Sequence, residues 1–344
     1  MLLNIPRVLL IACFLFFSEG CFHSDPTPHN NAISSSGFLI KGISLVAPPQ
    51  LVNENALQPI VDIHSNYIAI MPYSFCTPGD PVIRHNYNGQ WWGESDIGAT
   101  ACIEMAHKKN LAVMIKPHLW IKHGEYTGAF TLASEKDWKL WEDSYREYIL
   151  HYANIADSMK AELLCIGTEL GATIKARPQF WNLLIDSIKK TYHGKLTYAA
   201  NWDDYKSFPF WEKLDYIGVD AYFPLAIEET PSINSIKKGW EIYKDELEKI
   251  SIEYKRPILF TEYGYRNVDY NCSEPWKEND GNQNDEAQAN AMDAFYQSFA
   301  GNKWFSGGFV WKWYADSLRH HNRKIDFTPQ NKPAAKVIEN WYKN

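Results

Sequence analysis

No two cysteines of this chain stand in C-x-x-C spacing, which argues against a thiolate zinc site. Lys and Arg do not gather into a stripe and the formal net charge is −7, so nucleic acid is not an expected partner. Beyond the N-terminus no apolar run is long enough to span a bilayer. No G-x-G-x-x-G follows the first apolar run, where a dinucleotide-binding sheet carries it. No metal or organic cofactor is implied. Aromatic surface, by contrast, is plentiful: 14 Trp, 20 Tyr and 17 Phe. Trp and Tyr pair a flat apolar face with a polar edge, which suits both a packed core and a sugar ring.

The N-terminus reads as a processing segment. Arg7 supplies positive charge, Val8–Phe17 is apolar, and small Ser18 and Gly20 precede Cys21. A Cys directly after the cleavage point resembles a bacterial lipoprotein signal, with Cys21 taking the lipid. Ser18 departs from that pattern, which has an aliphatic residue three before the Cys, so plain secretion with cleavage near Gly20 is the alternative. Residues Phe22–Gly37 are polar and rich in Ser, Asn, His and Pro, as in a flexible tether. The expected organisation is a signal over 1–20, an anchored tether over 21–37 and one folded domain over 38–344. The expected location is a membrane face, periplasmic or cell-surface, reached through the lipid alone. A monomer is the simplest state. Cys165 lies in an apolar run and reads as a small buried hydrophobe. A Cys76–Cys102 disulfide is an open option for an exported chain.

Short β-rich runs alternate with amphipathic stretches along the domain. The expected strands are Phe38–Val46, Tyr67–Tyr73, Leu111–Pro117, Glu162–Gly167, Leu196–Ala200, Tyr216–Val219, Pro257–Thr261 and Gly308–Trp313. The expected helices include Asp96–Lys109, one following Ser134 with Ser134 and Asp137 as a capping pair, Gln179–Tyr192 behind Pro178, Ile236–Tyr254, Asp285–Ala300, and one opened by Pro333. Eight such strands in a little over 300 residues match a (β/α)₈ barrel. Polar and aromatic residues collect at the C-terminal ends of the runs, which in a barrel meet on one rim.

Two acids stand out there. Glu169 follows the run ending Gly167-Thr168, and Glu262 follows Pro257–Thr261. They fall on strands four and seven; at roughly 31 residues per βα unit, three units separate them by about 93 residues, close to what is found. Across a barrel mouth two carboxyls can stand ~5–5.5 Å apart, the spacing for retaining glycoside hydrolysis. One then has to be protonated and the other ionised, and unequal surroundings split their pKa values. An ordinary ion pair on the rim is the alternative for either acid alone.

The residues around these acids resemble glycoside hydrolase family 113. The resemblance rests on Cys165-Ile-Gly-Thr-Glu169, Lys195-Leu-Thr-Tyr-Ala-Ala-Asn-Trp202, Asp215-Tyr-Ile-Gly-Val-Asp-Ala-Tyr-Phe-Pro224 and Phe260-Thr-Glu-Tyr-Gly264, with Met71-Pro-Tyr73 and Ile115-Lys-Pro-His118 at the second and third strand ends. It runs from about Gly42 to Trp313. It implies an endo-β-1,4-mannanase without cofactor, with a polysaccharide or oligosaccharide as substrate, Glu169 as general acid/base and Glu262 as nucleophile. Tyr222 would hydrogen-bond the nucleophile, and Trp311 would floor the reacting subsite, its alternative being a core Trp. Most members of the wider clan carry Asn before the acid/base, where it contacts the sugar 2-hydroxyl. Here Thr168 stands there, making either Thr168 or Asn201 the expected contact. The clan's usual Arg near the end of strand two is not evident.

Most other rim residues have two readings. His118 binds a hydroxyl or caps its strand. Trp120 stacks on a neighbouring sugar or packs on the rim. Trp92, in the Trp91-Trp92 pair of a Gly/Asn-rich loop, forms a distal sugar platform or covers the barrel. Lys116 and Asp220 form a rim ion pair. The polar loop Asn271–Glu286 walls the cleft or is surface. A glycan-binding barrel without catalysis, and a β-glucanase or exo-glycosidase of the same clan, are the competing functions.

Overall fold

The computed structural model describes residues 38–277, 281–315 and 324–343. The expected signal, Cys21 and the tether lie outside the described residues. Eight parallel strands close into a barrel in chain order: β1 (Ile40–Val46), β2 (Tyr67–Ile70), β3 (Ala112–Ile115), β4 (Leu163–Thr168), β5 (Lys195–Asn201), β6 (Ile217–Asp220), β7 (Ile258–Tyr263) and β8 (Phe305–Tyr314). The helices are α1 (Gln58–Asp62), α2 (Asp96–Lys108), α3 (Glu135–Ser158), α4 (Gly171–Ala176), α5 (Pro178–Thr191), α6 (Ile233–Tyr254), α7 (Asp285–Phe299) and α8 (Pro333–Lys343). The expected (β/α)₈ fold is thus the observed one. No helix among the described residues is long and apolar enough to cross a membrane.

Local signals explain several boundaries. The Ser134 hydroxyl accepts the Asp137 N–H at 3.1 Å and opens α3. Pro178 and Pro333 begin α5 and α8, where a missing N–H costs nothing. Two expected strands are shorter than the apolar runs suggest. Pro72 and Pro117 cannot donate to a ladder, so β2 stops at Ile70 and β3 at Ile115. The chain then starts again as Tyr73–Cys76 and His118–Ile121, which pair in parallel. Arg84–His85 joins antiparallel to Tyr73–Cys76, completing a small three-stranded sheet beyond the barrel. This sheet carries Tyr73, His118 and Trp120 to the mouth.

Strand side chains alternate between two cores. Ile40, Ala69, Met114, Leu163, Cys165, Ala199, Leu259 and Phe309 form a separate buried cluster, the filled barrel interior. Their neighbours, such as Ile68 and Ile70, Val113 and Ile115, Leu164 and Ile166, face the helices in the main core. The Phe309 ring leaves no space at Gly42, where a Cβ would lie 2.4 Å from it. The barrel seam is tied by tyrosines. The Tyr263 hydroxyl meets those of Tyr296 at 2.9 Å and Tyr342 at 3.1 Å, and Tyr342 donates to the Gly42 carbonyl at 3.0 Å. β7, α7, α8 and β1 are thereby joined.

Cys76, Cys102, Cys165 and Cys272 are buried free thiols, so the optional Cys76–Cys102 disulfide is not formed. Each sits in apolar packing as a small hydrophobe. Burial pushes both Cys76 and Cys102 up to about 12, which leaves them unreactive.

Candidate active site

Next to its last residue, β7 carries a buried acid. Glu262 has donors on both oxygens: Lys116 Nζ at 2.5 Å from Oε1 and the Tyr222 hydroxyl at 2.8 Å from Oε2. Lys116 follows β3, and Tyr222 lies just past the end of β6. Two convergent donors on one carboxyl fix its rotamer and suit an acceptor-only carboxylate. Gly264 follows because nothing larger fits: a Cβ there would lie 2.2 Å from the Trp311 carbonyl oxygen. The adjoining Trp311–Lys312 peptide is cis.

The expected Lys116–Asp220 ion pair is present and buried, at 3.1 Å. Asp220 also accepts the Thr261 hydroxyl at 2.7 Å. One ammonium therefore serves two carboxylates, Asp220 and Glu262. Burial and repulsion from Glu262 push the Asp220 carboxyl up to about 7, with Lys116 and Thr261 pulling against them. Burial alone would lower the lysine, but its two acidic partners overcome that and hold it above its ordinary value.

Glu169 follows β4 directly. Its backbone is left-handed, φ 52°, a conformation costing a non-glycine residue roughly 1–2 kcal/mol. The surroundings hold it there. The Glu169 N–H donates to the Ala199 carbonyl at 2.8 Å, and the next N–H, of Leu170, donates to the buried Tyr198 hydroxyl at 2.7 Å. Burial, then repulsion by Asp220 and Glu262, raises the Glu169 carboxyl well above its ordinary range. Glu169 and Glu262 line the same cleft, of about 720 Å³.

That cleft also takes in Tyr222, Trp311, Asn201, His118, Trp120 and Thr168. His118 lies parallel to Trp311, ring centroids 6.3 Å apart. Burial and the nearby Lys116 charge hold His118 well below its usual range, so it is neutral and its 3.7 Å approach to Glu262 is no ion pair. Its Nε2 and the Thr168 Oγ1 are buried without hydrogen-bond partners. Asn201 is already engaged: Nδ2 donates to the Tyr126 hydroxyl at 2.5 Å and Oδ1 accepts the Trp202 N–H at 2.7 Å. Trp120 is half exposed on the wall. Trp92 is not brought to the cleft. It begins a short 3-10 turn, donates its backbone N–H to the Pro49 carbonyl at 3.2 Å and packs against the main core. That is the covering alternative, and the exposed ring of the pair is Trp91.

Residues 52–332 match the sequence model of glycoside hydrolase family 113. The chain belongs to glycoside hydrolase family 113. Solved structures agree in fold. A β-mannanase of that family from Alicyclobacillus acidocaldarius, in complex with ManMIm, superposes with TM-score 0.79 at 22% identity, over 89% of this chain and 97% of that one. A β-1,4-mannanase of the family gives 0.77 at 23% identity, over 89% and 99%. A β-glucuronidase from Ruminococcus gnavus gives 0.61 at 10% identity, over 89% of this chain and 50% of that one. No curated protein sequence matches the chain.

Several parts of this family 113 cleft escape a reading of strand ends alone. Lys116 reaches Glu262 as well as Asp220. Tyr126, in the segment after His118–Ile121, lines the cleft without any local sequence signal. Trp276 stacks on Trp202, centroids 5.2 Å apart and planes 20° apart, and both line the cleft. Trp276 belongs to the Asn271–Glu286 segment, so part of that loop does wall the site. A lone tryptophan in a polar acidic loop was the available signal.

Proposed function

We propose that this glycoside hydrolase is a retaining endo-β-1,4-mannanase. Glu169 is the general acid/base and Glu262 the nucleophile. The observation that carries the reading is the unequal treatment of two carboxyls in one cleft. Glu169 has its proton favoured by burial and two neighbouring acids, while Glu262 receives a cationic and a phenolic donor. In the first step Glu169 passes its proton to the leaving glycosidic oxygen as a Glu262 oxygen bonds to the anomeric carbon. In the second, Glu169, now a carboxylate, takes a proton from water, the water oxygen attacks the anomeric carbon, and Glu262 leaves as carboxylate. Tyr222 and Lys116 hold Glu262 in line for both steps.

Mannan is the substrate class favoured by the β-mannanases among the family structures. Exposed aromatics on the wall, Trp120 and Trp276, favour binding along a chain and hence endo cleavage. The deciding experiment incubates the protein with mannan, glucomannan, xylan and β-glucan, sizes the products and follows the anomer by NMR. Mixed mannooligosaccharides released with retained configuration are expected. Glu169→Gln and Glu262→Gln are each expected to abolish turnover, with azide restoring an inverted product only in Glu262→Ala. An inverted product from the unmodified protein overturns the nucleophile assignment.

We further propose that Cys21 carries a lipid and holds the enzyme at a membrane face. Labelled palmitate incorporated by the full chain and lost in Cys21→Ser supports this; equal labelling overturns it.

A further inference from the structure

Away from the cleft, the described residues contain one group with the composition of a metal centre: His85, Asp96 and His151. One ligand atom from each lies within 4.8 Å of the others. None lines the cleft. His85 belongs to the small sheet, Asp96 is the first residue of α2, and His151 lies in α3. Three separate elements, the last of them distant in sequence from the other two, thus converge on two imidazoles and a carboxylate.

The carboxylate is already aimed. Asp96 Oδ1 accepts the Tyr152 hydroxyl at 3.0 Å, and Oδ2 accepts the Asn86 side-chain amide at 2.7 Å. His151 Nε2 lies 2.9 Å from the same Oδ2. Partners of this kind orient ligands in metal centres. His85 is different. Its ring packs 5.3 Å from the His151 ring, and its Nδ1 is buried with no hydrogen-bond partner. A hydrogen-bond network alone therefore accounts for Asp96 and His151 but not for His85. Buried polar atoms are rarely left so.

We propose that His85, Asp96 and His151 bind one divalent transition-metal ion of the zinc class. Two imidazole nitrogens with one carboxylate suit zinc, cobalt, nickel or copper, whereas magnesium and calcium take oxygen ligands. Three protein ligands leave room for water as the fourth. The consequence is structural. His85 pairs with Ser74, whose neighbour Tyr73 lines the cleft. The ion ties the small sheet to α2 and α3 and so steadies one wall of the site.

The test uses the full untagged chain after chelator treatment and dialysis. Co²⁺ is added to follow the visible bands of a bound low-coordinate ion, and Zn²⁺ is titrated by calorimetry. One equivalent bound, a visible cobalt spectrum and a raised melting temperature are expected. All three are expected to be lost in His85→Ala and in the milder His151→Gln, with circular dichroism reporting that each variant is folded. No bound equivalent in the unmodified protein, or equal binding in both folded variants, overturns the proposal.

Discussion

Lys116 Nζ stands 2.5 Å from Glu262 and 3.1 Å from Asp220, so one buried ammonium is shared between two buried carboxyl groups on neighbouring strands. Removing one partner of such a cluster leaves uncompensated charge, a loss of about 3–5 kcal/mol. Lys116→Met is therefore expected to unfold at lower denaturant. Glu262 also loses the donor that aligns it, and turnover is expected to fall by about 100-fold. Adding Asp220→Asn removes one of the stranded charges and is expected to restore part of the stability. Equal stability of the single and double variants would contradict shared neutralisation.

Thr168 presents a buried hydroxyl with no partner beside Glu169. Leaving such a group unpaired costs about 1–3 kcal/mol, and a bound sugar hydroxyl is the partner the cleft can offer. Thr168→Val keeps the shape and removes the hydroxyl. It is expected to match or exceed the unmodified protein in stability, while kcat/KM falls about tenfold, or about 1.4 kcal/mol. With a 2-deoxy substrate the two proteins are expected to be equal. A tenfold gap that persists on that substrate assigns the loss to something other than the 2-hydroxyl.

The Trp202–Trp276 stack extends the cleft with one ring that is 42% exposed. Aromatic contact of this kind is worth about 1 kcal/mol. Trp276→Ala is expected to raise KM about fivefold for long oligosaccharides and to leave kcat unchanged, since binding lost equally in ground and transition states appears in KM. Short substrates that do not reach the stack are expected to be unaffected. Chain-length profiles of the two proteins decide the matter.

The barrel is legible in the sequence because a strand buried on both faces has to be an apolar run, and its polar end marks the rim. Glu169 and Glu262 are found that way. Pro72 and Pro117 are the points where the reading overruns: apolar character continues past them, but a proline cannot continue the ladder. The small sheet they create follows from pairing between segments 45 residues apart, as with Tyr73 and His118. The Lys116–Glu262 contact spans 146 positions and depends on a long side chain crossing the barrel mouth. Asn201 sits where expected, yet its amide is held by Tyr126, which lies in a segment of no regular pattern. Trp92 has the composition of a sugar platform, but the turn at Pro49 directs it to the core.

Glu169 links protonation to both stability and rate. Its carboxyl is raised above the ordinary 4.5 by burial and by Asp220 and Glu262. The folded state therefore keeps this proton at pH values where the unfolded chain has lost it. The stabilisation from this group is complete below the unfolded value and is lost as pH rises through the folded one. Glu169→Gln removes the dependence. Its melting temperature is expected to match the unmodified protein below pH 4.5 and to exceed it progressively as pH rises. The same ionisation sets the alkaline limb of kcat/KM, because a general acid works only while protonated. On an aryl glycoside whose leaving group needs no proton, that limb is expected to disappear from the glycosylation step in Glu169→Gln. Melting curves of the two proteins that run parallel across pH would show that Glu169 does not hold the proton, and the acid would then have to be sought in Asp220.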